Sequence, residues 1–161
     1  MATQLGPKLT AALIRKINSE SRRDSNEVVF LNSVDVEGYP NTALLGFAEL
    51  FVKSTKIILF AVGEDSSSKK NLLRTKKGSL VFWGGKKSGI YYVKGRTKML
   101  KRKMKSSVEG LNCSALILHV EKVSKDYSSI AQLLSTVTYD NKQVISEHGV
   151  IQKELQSLGD S

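Results

Sequence analysis

Three consecutive pieces decide the fold: EVVFLNSVD (27–35), VEGY (36–39) and PNTALLGFAELFVK (40–53). The outer two are rich in β-branched, aromatic and aliphatic residues, which suit a pleated, half-buried surface, and the middle one carries turn chemistry. Together they read as a hairpin. Pro40 has no amide hydrogen to give to a ladder, so it belongs at the start of the second strand.

Outward from this hairpin the pattern stays β. KIILFAV (56–62) is a short, continuously apolar third strand; GSLVFWGG (78–85) and SGIYYVKGRTKML (88–100) are two more, joined by a Gly/Lys turn; SALILHVEKVSKDY (114–127) is a long sixth. Between the third and fourth lies GEDSSSKKNLLRTKKG (63–78), which reads as a short helix with a hydroxyl-rich start, Leu72 and Leu73 on its apolar face and Gly78 as its stop. Leu9, Leu13 and Ile17 recur at helical spacing, so 7–20 forms an N-terminal helix with Pro7 near its start. SSIAQLLSTV (128–137) and a weaker amphipathic stretch at 150–158 return to helix. The fold class is therefore mainly β with flanking helices (α+β). Six antiparallel strands favour a closed or partly closed barrel, because closure removes exposed edges, although periodicity fits a sandwich equally well.

A chain of 161 residues that is 40% hydrophobic suits one domain: N-terminal helix 7–20, a core over about 26–126, and a C-terminal helical segment over about 127–161. The lone Cys113 cannot form an intramolecular disulfide, the apolar runs are too short to span a bilayer, and the N-terminus has no secretory h-region, which makes the cytoplasm the expected compartment. His119 and His148 lie far apart and no Cys/His cluster has ligand spacing, so no metal is expected. Hydrolase, NTPase and Rossmann motifs are missing.

The net charge is +10, and sixteen Lys or Arg fall between Lys53 and Lys105 against only Glu64 and Asp65, an attraction for phosphorylated ligands or polyanions. DSSSKKN (65–71) is the best local candidate for a phosphate cradle. Its hydroxyls, ammonium groups and free helix-start amides can converge on one anion, although Ser and Asp also serve as ordinary N-caps there. The run KGRTKMLKRKMK (94–105) beside Tyr91 and Tyr92 fits phosphates and stacked bases, but charge and aromatics alone argue only weakly for nucleic acid, which is not the expected partner. Trp83, Tyr91 and Tyr92 fit either a ligand border or barrel packing.

In order and spacing, VVFLNSVDVEGYPNTALLGF, KIILFAV, SSSKKNLL, GSLVFWG and YYVKGRTKML resemble the pyridoxamine 5'-phosphate oxidase-like FMN-binding split-barrel family over about residues 26–126. The resemblance implies a six-stranded antiparallel split β-barrel and FMN held between the subunits of a homodimer. It implies that Asn41, Thr42, Ala43 and Leu44 grip the isoalloxazine edge through backbone groups. Phe60, Ala61 and Val62 lie beside the flavin, and Ser66, Ser67, Ser68, Lys69, Lys70 and Asn71 face the ribityl phosphate. It further implies oxidoreductase chemistry on a small-molecule substrate, or flavin storage without turnover, with Lys69 and Lys70 stabilising the anionic reduced flavin. Asn41 and Gly46 stand where true pyridoxamine phosphate oxidases carry Arg and Lys, the loop has serines in place of an Arg-Lys pair, and 144–161 lacks their Arg/His segment, which argues against vitamin B6 oxidation. Related split barrels take the deazaflavin F420 or haem, which are the alternative cofactors.

Overall fold

The computed structural model describes residues 2–108, 110–131, 133–140 and 145–161. Two short helices, α1 (Ala11–Ile17) and α2 (Glu20–Arg23), stand where one longer helix is expected, because two hydroxyl caps divide the segment. Thr10 accepts from the Leu13 amide at 3.2 Å and Ser19 from the Arg22 amide at 3.4 Å, so each helix starts after its own cap. Before them, β1 (Thr3–Gly6) is a strand that the sequence pattern does not announce.

The hairpin forms as read: β2 (Val28–Val34) pairs antiparallel with β3 (Pro40–Gly46) from Val28↔Gly46 to Val34↔Pro40. Asp35 closes the turn, its carboxylate accepting from the Tyr39 amide at 2.8 Å. The expected second strand does not run on to residue 53, however. It breaks at a 3-10 turn, Phe47–Glu49, and resumes as β4 (Leu50–Ser54), which pairs with β5 (Ile57–Gly63). After β5 come α3 (Ser67–Thr75), β6 (Lys77–Trp83), β7 (Ile90–Lys101), the two-residue β8 (Ser107–Val108) and the 16-residue β9 (Leu111–Asp126).

The sheet runs in the order β3-β2-β6-β7-β9-β5-β4, with β1 and β8 added to β9. Its first and last strands, β3 and β4, are joined by only three residues, so the sheet must roll until its two ends meet. No ladder joins them among the described pairings, which leaves the roll split along that line. The six expected long strands thus become nine, by division of the second and addition of β1 and β8.

Inside the roll, Val29 and Leu31 of β2, Leu80 and Phe82 of β6, Val93 of β7, and Leu116 and Leu118 of β9 form one apolar core with Phe60 and Val62 of β5. They recur at every second residue, the period of two along a strand, while Leu59, Ala61 and Ala115 between them face a second cluster. Gly78 does not stop α3 as expected; Lys76 does, in the left-handed region at φ 55°. Gly78 instead sits in β6, where a Cβ would come within 2.5 Å of Leu72 Cδ2, so its bare backbone is what lets α3 seat on the core.

The C-terminal helix, α4 (Ile145–Asp160), covers a second apolar cluster: Ile151 and Leu155 pack with Leu59, Ala61, Met104, Cys113 and Ala115. Glu154 fixes it, accepting from the amides of Lys105 and Ser106 at 2.8 and 2.7 Å and from the Ser106 hydroxyl at 2.7 Å. Burial opposes this charge, but the Ser106 and Lys105 hydrogen bonds outweigh it and hold the carboxyl down to about 2. The helix expected at 128–137 is absent among the described residues: they carry bends or no regular structure, and Gln132 lies outside the described residues. The segment is drawn out because its far end joins β2, with the Val28 amide donating to Val137 O at 3.0 Å and the Tyr139 amide to Asn26 O at 3.0 Å. Extended chain covers about twice the distance per residue that a helix does. No helix among the described residues is long and apolar enough to cross a membrane.

At the split, Glu49 accepts from the Gly46 amide at 2.6 Å, while desolvation pushes its carboxyl up to about 7. A folded-state value above the unfolded one means that the fold favours the protonated acid. This stabilisation is complete below about pH 4.5 and is lost as pH rises through about 7. Glu49→Gln is therefore expected to flatten the fall in Tm between pH 5 and 8 and to be more stable than the parent at pH 8, by on the order of 3 kcal/mol. Thermal melts of both proteins across that range check it; parallel curves would show that Glu49 does not titrate in the fold.

Candidate functional site

Two segments far apart in sequence meet beside the split. The register Ser33↔Asn41 puts these two side chains on the inward face of the hairpin, and α3 packs its first turns against them. Asn41 Nδ2 donates to Ser68 Oγ at 3.0 Å and to Ser33 Oγ at 3.2 Å, and Asn71 Nδ2 donates to the same Ser33 oxygen at 3.4 Å. Ser33, Ser68 and Asn71 are all buried. Arg74 Nη2 further clamps the helix to β2 through Val34 O at 2.6 Å.

Ser66 is the N-cap of α3, its hydroxyl accepting from the Lys69 amide at 3.2 Å. The amides of Ser67 and Ser68 open the helix and have no intrahelical carbonyl to bond. Ser67 and Lys70 are exposed beside them. Here neutral donors, one free-standing cation and the positive end of the helix face outward together, an arrangement that favours a phosphate.

Lys69 is different. Its ammonium is buried, 2.9 Å from a Glu64 carboxylate oxygen and 3.3 Å from Ser114 Oγ, and Ser114 also hydrogen bonds Glu64. The Ser114 hydroxyl first, and then Lys69, hold the Glu64 carboxyl down to about 2. The Lys69 charge is therefore committed inside the protein. Neither Glu64 nor Ser114 is recognisable as its partner from the sequence, since only the β5–β9 register, with Val62↔Ser114 and Gly63↔Cys113, brings them together.

The remaining expected residues flank this cluster. Thr42 and Leu44 are exposed on β3, which has β2 on one side and the split on the other, while Ala43 is half-buried. Phe60, Ala61 and Val62 are core residues whose side chains are not brought to the cluster. On the β4 side, the β5 ladder ends at Leu50↔Phe60, so Ala61, Val62 and Gly63 continue past it with one backbone edge toward the split. Tyr91 is barrel packing, stacked on Phe82 at 5.6 Å, and the buried Trp83 indole nitrogen has no hydrogen-bond partner among the described residues. Cys113 is buried, and His119 is an exposed strand residue. The side chain of His148 lies outside the described residues. No group of three metal-ligating side chains occurs among the described residues.

No protein-family model and no curated protein sequence matches the chain. Solved structures do match. A candidate pyridoxamine 5'-phosphate oxidase of Lactobacillus delbrueckii superposes with a TM-score of 0.57 at 19% identity, covering 74% of this chain and 97% of that one. The chain has the fold of the pyridoxamine 5'-phosphate oxidase-like split barrels. A related FMN-binding protein of Nostoc punctiforme gives a TM-score of 0.52 at 12% identity over 70% of this chain and 78% of that one. An F420 reductase gives 0.52 at 9% identity over 68% and 98%. In this split barrel the edge strand β3 and the start of α3 are joined by the Asn41–Ser68 hydrogen bond.

The two neighbouring lysines are expected to separate cleanly on substitution. Lys69→Met strands Glu64 without its cation and lowers Tm by several degrees, with the loss shrinking as pH falls from about 4.5 toward 2 and Glu64 takes up a proton. Lys70→Met, at an exposed position, leaves Tm within about 1 °C of the parent. Equal melts for the two variants would show that the Lys69–Glu64 pair does not support the fold.

Proposed function

We propose that this chain is an FMN-binding flavoprotein of the split-barrel type, acting as an oxidoreductase, with the cofactor at the interface of a homodimer. The observation that carries this reading is the meeting of Asn41 and Ser68 at 3.0 Å. The strand assigned by resemblance to the isoalloxazine edge and the helix start assigned to the ribityl phosphate adjoin one opening, although 27 residues separate them.

The donor set fits the group. Ser67, Lys70 and the first amides of α3 would hold the phosphate, and the outer backbone edge of β3 at Asn41 to Leu44 would meet the flavin ring. FMN, when bound, supplies hydride and single-electron transfer, so the protein needs no acid or base of its own for that step. What the chain contributes is position and charge. Lys70 favours added negative charge on a bound ligand, whereas Lys69 is neutralised by Glu64 and lends little field.

Exposed apolar surface supports the homodimer. Leu44 on β3 is 60% exposed, and Ile130 and Leu134 before α4 are 97% and 71% exposed, apolar side chains that a partner subunit would cover. The F420 reductase among the fold relatives keeps the deazaflavin as the second cofactor reading.

Incubation with FMN followed by desalting is expected to leave flavin absorbance with the protein, and Lys70→Ala is expected to weaken retention about tenfold, the value of one charge-assisted phosphate contact. Light scattering on the same sample should give twice the mass of the chain. Protein that stays colourless after FMN but retains F420 would replace the cofactor; protein that retains neither would end the flavin reading.

A further inference from the structure

The outer face of the sheet carries a second polar feature. Cross-strand register aligns Thr42, Asn32, Ser79, Lys94 and Lys122 in one row across β3, β2, β6, β7 and β9. Residues directly opposite on an antiparallel ladder share a face. The neutral end of the row is hydrogen bonded: Thr42 Oγ1 donates to Asn32 Oδ1 at 2.8 Å and Asn32 Nδ2 to Ser79 Oγ at 3.4 Å. The other end is cationic, and Lys77, opposite Arg96 in the next row, adds to it.

Asn32, Ser79, Lys77, Lys94 and Lys122 line a groove of about 490 Å3. Its one acid, Glu121, is the extra residue of a β-bulge, where Lys94↔Lys122 is followed by Gly95↔Val120. That carboxylate is spent on Arg96, whose Nε it meets at 2.8 Å. Lys94 and Lys122 therefore face each other across adjacent strands with no acid of the groove left to offset them, an arrangement that destabilises a bare sheet.

We propose that this groove binds the di- or triphosphate group of a nucleotide-sized ligand. Lys77, Lys94 and Lys122 match the charge of such a group. Asn32 and Ser79 give hydrogen-bonding partners for the ligand's neutral end. The aromatics argue against a continuous strand of nucleic acid: Tyr91, one of the two candidate stacking rings, is turned inward onto Phe82. The site rests on three lysines that the flavin reading does not use, although the groove is also lined by Ser33, Val34 and Pro40 of the hairpin.

Calorimetric titration of the full chain with sodium tripolyphosphate and with adenosine triphosphate tests the proposal. Both are expected to bind, and Lys94→Gln with Lys122→Gln is expected to weaken both about tenfold or more. The charge-matched control Lys86→Gln with Lys87→Gln, in the exposed β6–β7 turn, should stay within about twofold. Without ligand the groove variant should melt no lower than the parent, since a like-charge pair is relieved, so weaker binding is not read as unfolding. FMN retention, measured on the same samples, should not change. Absence of binding, equal weakening by both variants, or single-stranded oligonucleotide binding that strengthens with length and weakens equally in both variants would each overturn the proposal.

Discussion

The structure depends on one covalent constraint: three residues, Phe47 to Glu49, join the two outermost strands of a seven-strand path. A strand that continued straight from Gly46 would stay in the hairpin with β2. The 3-10 turn sends it to the far end of the sheet, and the sheet has to curl to allow this. The turn is itself secured from several sides. Phe47 is fully buried, edge-on to Phe82 at 5.8 Å and under the Arg22 guanidinium at 5.0 Å, which pins α2 to the same point. Gly46 has no room for a side chain, since a Cβ would lie 2.3 Å from the Tyr139 hydroxyl. The drawn-out segment before α4 thus reaches the closure as well, and a carboxyl that prefers its proton, Glu49, sits beside it.

Electrostatics divides the basic middle of the chain into parts with different roles. Net positive charge alone treats Lys69, Lys70 and Lys94 alike. The fold does not: Lys69 is internal and neutralised, Lys70 stands free at a helix start, and Lys94 faces another lysine across a ladder. A buried pair such as Lys69–Glu64 adds little net stability over an apolar substitute, yet losing one member leaves the other stranded. Its use here is to fix the loop from Gly63 to Ser66 against β9, so that the helix start behind it has a set position.

The strands were legible because their residues are β-branched or apolar with turn residues between them, and the Ser66 cap was legible because a hydroxyl before KKNLL has one obvious use. The break at Phe47 was not. Gly46 directly before FAE is its one local mark, and a lone glycine in a strand pattern does not by itself announce a break. The 128–137 segment misled for the opposite reason: Ile130, Leu133 and Leu134 have helical spacing, but hydrogen bonds at Val137 and Tyr139 keep that stretch extended and leave those side chains exposed. Tertiary anchoring overrode local periodicity. Within the candidate site, Ser66 to Asn71 could be read from the sequence, whereas Ser33, Glu64 and Ser114 could not, because each joins through strand register.

Phe60, Ala61 and Val62 show how far resemblance carries. If these residues served a ligand through their side chains, burial at 0%, 0% and 4% exposure would exclude them. Their backbone tells them apart. Phe60 is held by β4 and β9 on both sides, while Ala61 and Val62 keep β9 on one side and pass beyond the end of β4 on the other. An unpaired ladder edge next to a split is a row of donors and acceptors that needs a partner, whether water, a ligand or another chain. The outer edge of β3 has the same need across the opening. Two strand edges that lack a ladder partner among the described pairings, with a helix start following them in sequence, are set by register and owe almost nothing to side-chain identity. Such a placement can persist while the sequence falls below 20% identity to structures that share the fold.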